Sequence, residues 1–144
     1  MADVINRFDG DYEFLSNFAN TLIRDDEGIY YTTVEAAFQA AKTHDLELRR
    51  RMARFKPGEA KRFGRKVDLR PDWEEVKDEV MYQFVKQKFS DNSFGYRDKL
   101  LATGDAELVE GNYWHDTYWG VCNGVGKNRL GKILMRVREE LRNS

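Results

Sequence analysis

Apolar residues recur with a helical period in several stretches. Val34, Ala37, Phe38 and Ala41 fall at i, i+3, i+4 and i+7 and predict a helix over Thr32 to His44. Its start has the capping-box form, with Thr32 as N-cap and Glu35 three residues on. Asp72 and Glu75 repeat that form, opening a helix that runs to about Ser90 and buries Val76, Val80 and Phe84. Leu130, Ile133, Leu134, Val137 and Leu141 mark an amphipathic closing helix. Between these, Asp45 and Pro57 act as start signals for one or two short helices over Asp45 to Lys66, and Asp91 to Leu101 predicts another.

Strand signals are short. Tyr12–Leu15 reads as a strand running into a loop at Ser16-Asn17-Phe18, and Leu22–Arg24 with Ile29–Tyr31 reads as a hairpin turning at 25–28. Glu107–Glu110 predicts a brief strand and Asn123–Gly126 a loop. The pattern predicts a mainly α fold, a single compact domain over 1–144 of about six helices with a few short strands near the N-terminus.

Composition narrows the function classes. At 144 residues the chain is long enough for a real core. Lys and Arg total 24 against 25 Asp and Glu, so a general nucleic-acid binder gains no support. One cysteine, Cys122, excludes an internal disulfide, fits a reducing compartment and reads as core. With no secretory signal and no apolar run long enough to span a bilayer, the expected location is the cytoplasm, with no membrane partner. His44, His115 and Cys122 lack zinc-ligand spacing, and neither GxGxxG nor GxxxxGK[ST] is present, so no metal or cofactor is expected.

Side chains must then carry the chemistry. The stretch Gly111–Gly120 holds two of the three Trp, one of the two His and Asp116. Aromatic faces beside a carboxylate suit a flat polar ligand; the plainer alternative is a Trp-rich turn in which Asp116 caps a backbone amide. On the first helix, Glu35, Gln39 and Lys42 form a row at the rim of the apolar stripe. That row could serve a cleft, or it could be a cap and a solvated flank. The basic run Arg49-Arg50-Arg51 with Arg54, Lys56, Lys61, Arg62, Arg65 and Lys66 suits phosphate or forms a solvated face. Arg65 after Gly64 is placed to offer a bidentate fork to phosphate. Trp73 is core or a stacking wall, and Asn17 faces a ligand or serves its turn.

Phe14-Leu15-Ser16-Asn17-Phe18 followed by Thr33-Val34-Glu35-Ala36-Ala37-Phe38-Gln39-Ala40-Ala41-Lys42 resembles the opening of the YbiA-like, or NADAR, family. Gly64-Arg65, Arg70-Pro71-Asp72-Trp73, Leu101-Ala102-Thr103-Gly104, Leu108-Val109-Glu110-Gly111-Asn112, Trp114-His115-Asp116-Thr117-Tyr118-Trp119-Gly120 and Gly126-Lys127-Asn128-Arg129-Leu130-Gly131-Lys132 continue it in order. The chain departs from the pattern at Ala36-Ala37, where many members carry a His and an aromatic. The resemblance implies a mainly α N-glycosidase. Its substrates would be ribosylamino-pyrimidine phosphates of riboflavin synthesis, or ADP-ribose on the exocyclic amine of guanine in a nucleoside or nucleic acid. An ADP-ribosyltransferase toxin enters as a counterpart.

Cleavage of such a bond develops positive charge at ribose C1' and negative charge on the leaving amine. Glu35 and Asp116 are the expected carboxylate pair, and Lys42 the expected Schiff-base nucleophile. Trp73 and Trp119 would wall the base or ribose, Asn17 would orient it and Arg65 would meet phosphate. Phe18, Gln39, Trp114 and His115 complete the expected binding set. A non-catalytic ADP-ribose or nucleotide-binding module, and a nucleic-acid interaction domain using the basic face, are the alternatives.

Overall fold

The computed structural model describes residues 3–144. Among them are six α-helices, one 3-10 helix and four two-residue strands, a mainly α fold as the apolar pattern predicts. The chain divides into two compact units: the segment up to Ser16 together with Phe89–Ser144, and Asn17–Lys88.

In the Asn17–Lys88 unit, β2 (Ile23–Arg24) and β3 (Tyr30–Tyr31) form the expected hairpin, with Ile23 opposite Tyr31. Helix α1 is Val34–Ala40, shorter than predicted and capped one residue later. Thr33 rather than Thr32 is the N-cap, its Oγ1 accepting from the Ala36 amide at 3.0 Å. The reason is tertiary: the Thr32 carbonyl already accepts from the Thr21 amide and the Asn17 carbonyl from the Glu35 amide, which fixes Thr32 outside the helix. Val34, Ala36, Ala37, Phe38, Gln39 and Ala40 are all buried, so α1 runs through a core rather than along its edge.

Helices α2 (Leu46–Met52) and α3 (Pro57–Gly64) begin where Asp45 and Pro57 predict. Asp45 Oδ1 accepts from the amides of Glu47 and Leu48. Helix α4 spans Trp73–Ser90 as expected. Its buried face is set by Trp73, Met81, Tyr82, Phe84, Val85 and Phe89, whereas Val76 and Val80 are only partly covered, at the margin of that wide face.

One member of the basic run departs from both readings offered for it. Arg49 is 2% exposed. Its guanidinium reaches Asp25 Oδ2 at 3.4 Å and Asp26 Oδ1 at 2.9 Å, and its Nε donates to the Thr43 carbonyl at 2.8 Å. Asp25 in turn accepts from the Tyr31 hydroxyl and from the amides of Glu27 and Ile29. Arg49 therefore ties the hairpin to α2. Burial pushes the Asp26 carboxyl up, but the Arg49 hydrogen bond and charge outweigh it and the net shift is downward.

In the other unit, residues Gly10–Leu15 form a 3-10 helix instead of the predicted strand. Gly10 takes φ +56°, and the Tyr12 and Ser16 amides donate three residues back to Asp9 and Glu13, closing tight turns that an extended strand cannot make. Helix α5 covers Tyr96–Ala102, later than predicted, because Asp91 accepts from the amide and hydroxyl of Ser93 and holds a turn there. Strand β4 (Glu107–Leu108) pairs in parallel with β1 (Val4–Ile5), a partner the local pattern does not announce. Helix α6, Arg129–Arg142, buries Leu130, Leu134, Val137 and Leu141.

Candidate active site

The Asn17–Lys88 unit brings together most of the polar residues expected to act. Gln39, one helical turn after Glu35, donates Nε2 to Glu35 Oε2 at 2.7 Å. Lys42 follows where α1 unwinds, and its Nζ donates to the Gly64 carbonyl at 3.4 Å. The Lys42 amine is shifted below its ordinary range. Burial is the main cause; the Glu35 carboxylate opposes it, while the charges of Arg65 and Lys77 add to it. Lys42 thus feels the charge of Arg65, the exposed residue after α3, and that of Lys77 from α4, which no motif flags.

Asn17 is 8% exposed, with its carbonyl on the Glu35 amide and its Nδ2 3.5 Å from Met81 Sδ. It supports the start of the Glu35 helix as well as offering an amide nearby. Phe18 is 41% exposed. Trp73 is 4% exposed and its ring lies tilted on Phe38 at 5.0 Å, so the structure places it in the core position that was one of its two readings.

The remaining predicted residues lie in the other unit, on the aromatic loop 111–120. Asn112 grips the loop: Oδ1 accepts from the Asp116 amide at 3.0 Å and Nδ2 donates to the Asp116 carbonyl at 2.9 Å. Asp116 Oδ1 accepts from the amides of Tyr118 and Trp119 at 3.1 and 2.9 Å, the backbone-capping arrangement weighed for it from sequence. His115 sits at φ +67°, with Nδ1 3.8 Å from Sγ of the buried Cys122. Trp114 is 45% exposed and meets Tyr113 edge-on at 5.2 Å. Trp119 meets Tyr118 at 4.9 Å, and the Tyr118 ring lies under Lys127 and Arg129.

Asn128 ties the segment entering this loop, Leu108 and Glu110, to the start of α6, and sequence reading did not single it out. At φ +52° its Oδ1 accepts from the Glu110 amide at 3.0 Å and its Nδ2 donates to the Leu108 carbonyl at 2.9 Å. The available signal was an Asn immediately before an amphipathic helix, a residue type that tolerates the left-handed region. Asn128→Ala should lower stability by about 1–3 kcal/mol, because it strands the buried Leu108 carbonyl and the partly buried Glu110 amide. Urea unfolding measures this, and a change below about 0.5 kcal/mol would show the clamp to be idle.

Among the described residues, no three His, Cys, Asp or Glu side chains are placed to hold a metal ion, and no helix is long and apolar enough to cross a membrane.

With this geometry in view, comparisons with known proteins are specific. The NADAR domain profile matches residues 6–142. The chain belongs to the NADAR domain family. N-glycosidase YbiA of Shigella flexneri serotype 5b is 43% identical over 148 residues, covering 98% of this chain and 91% of that protein. A riboflavin biosynthesis protein of Vibrio vulnificus is 38% identical over 137 residues, covering 92% of this chain and 36% of that longer protein. The NMR structure of the Escherichia coli protein YbiA superposes with a TM-score of 0.86 at 41% identity, over 99% of this chain and 88% of that one. The NADAR match encloses every residue named above for the site. Ala36 and Ala37 are both 0% exposed, so larger side chains there would force α1 to repack.

Proposed function

We propose that this chain is an N-glycosidase that cleaves the C–N bond between a 5'-phosphorylated ribose and an exocyclic aryl amine, using Glu35 and Lys42. The NADAR family and the N-glycosidase name of YbiA support the activity class. The observation that carries the residue assignment is the Glu35–Gln39–Lys42 row, in which a half-buried lysine has its amine shifted downward. A neutral amine is a nucleophile and an ammonium is not.

The step balances as follows. The N-riboside opens to an imine at C1' as its exocyclic N–H proton passes to the ring oxygen. The neutral Lys42 amine adds to C1', its two protons pass to the aryl nitrogen as the bond from C1' to that nitrogen breaks, and the aryl amine departs, leaving a C1'=N imine to Lys42. Water then adds to the Lys42 imine and releases the sugar phosphate with free Lys42. Glu35 in its ionised form stabilises positive charge at C1'. In this reading Arg65 meets phosphate, and Asn17 and Phe18 contribute to binding. Asp116, with one oxygen held by two amides, orders the loop that carries Trp114, His115 and Trp119.

Two substrate types share this linkage. The Vibrio relative's name favours riboflavin-pathway ribosylamino-pyrimidine phosphates, and ADP-ribosyl-guanine, as nucleoside or in a short strand, is the other. Paired release assays with mass detection are expected to show base or sugar-phosphate release from at least one. Tight binding of ADP-ribose without release from either would replace this reading with a binding module.

A further inference from the structure

We propose that Gln39 is a positioning residue, wedged by Gly64, that holds the Glu35 carboxylate ionised and in place. Its catalytic meaning rests on the N-glycosidase reading; its geometry does not. The Nε2–H bond to Glu35 Oε2, 2.7 Å long, is charge-assisted and joins neighbouring turns of one short helix. Gln39 is 7% exposed, and its Oε1 is buried with no hydrogen-bond partner among the described residues. Leaving an amide oxygen so is unfavourable. Flipping the amide would bring no relief, because Oε1 would then face the Glu35 carboxylate, acceptor against acceptor. The observed orientation serves Glu35 at the expense of Oε1.

Gly64 leaves the space that this arrangement needs. A Cβ at position 64 would collide with Oε1 and would lie 2.8 Å from Cδ of Gln39. Glycine is required there by space rather than by backbone conformation. The same residue's carbonyl accepts from Lys42, so one position at the end of α3 sets both neighbours. An N–H donated to a carboxylate favours its ionised form, and loss of that bond raises the carboxyl pKa.

The test is a 13C NMR titration of the Glu35 carboxyl, alongside pH–rate profiles, in wild type, Gln39→Met and Gly64→Ala. In both variants the carboxyl is expected to titrate at higher pH. The acid limb of kcat should move with it, while kcat falls about 10- to 100-fold and KM stays within about threefold. An unmoved Glu35 titration in Gln39→Met, or a fall in kcat with an unmoved acid limb, overturns the proposal. If Gln39→Met does not fold, Gly64→Ala and Gln39→Asn decide by the same titration. If wild type releases no product, the N-glycosidase reading fails, while the titration still decides the role of Gln39.

Discussion

Lys42→Met should lose product release by about 10³-fold or more, the scale expected when a covalent nucleophile is deleted. It should do so without loss of stability. The Lys42 amine is lowered in the folded protein relative to its unfolded value of 10.5, chiefly by burial. Between the lowered value and the unfolded one, the unfolded chain binds more protons, so stability rises with pH across that window and is reduced below it. Near neutrality the burial of this amine is therefore a burden on the fold, and Met removes it while filling the same space. Urea unfolding at neutral pH should show the variant at least as stable as wild type, the usual signature of a strained active site.

Two further measurements bear on the same residue. Wild-type activity should rise with pH in two steps, the lower one following the Glu35 carboxyl and the upper one, following Lys42, lying below the ordinary lysine range; borohydride should trap a sugar adduct that Lys42→Met does not form. Glu35→Gln should cost about 10²- to 10⁴-fold in kcat, the range for a positioned acid–base or charge-stabilising group. Retention of activity in Lys42→Met would remove the Schiff-base route and leave direct attack of water assisted by Glu35.

The second large effect concerns stability. Arg49→Met should destabilise the protein by about 3–5 kcal/mol, because it leaves a buried carboxylate uncompensated. The Asp25 side chain is 3% exposed and would retain only the Tyr31 hydroxyl and two backbone amides as donors. Arg50→Ala and Arg54→Ala, one position and five positions along the same run, are exposed and should change stability by no more than about 0.5 kcal/mol. A loss in Arg49→Met no greater than in these controls would mean that the buried network contributes nothing.

This network also carries a pH signature. Asp26 is lowered in the folded state by the Arg49 hydrogen bond and charge acting against burial. Its contribution is present above the unfolded carboxyl value and is lost as pH falls through the lowered one. Arg49→Met should therefore flatten the acid side of the stability profile as well as lower it. Because Asp26 is largely exposed, solvent screens that part of the effect, and the main loss is assigned to Asp25.

The residues behind these two predictions differ in how far the sequence alone could reach them. The helical segments, the starts at Asp45 and Pro57 and the Glu35–Gln39–Lys42 row follow from periodicity and capping, which act over a few residues and are written locally. The ordered family motifs are legible for the same reason. The tertiary structure alone decided which arginine of a basic run is buried, since Asp25 lies 24 residues before Arg49. It alone decided that Thr33 caps α1, because Thr32 is taken by Thr21 across the hairpin turn, and that β1 pairs with β4 a hundred residues later. It placed Trp73 against Phe38 and Gln39 against Gly64, contacts between elements that carry no common period. Local hydrogen bonds and helical repeats are properties of a segment; burial and partner choice are properties of the folded chain, settled only when distant segments compete for the same polar groups and the same space.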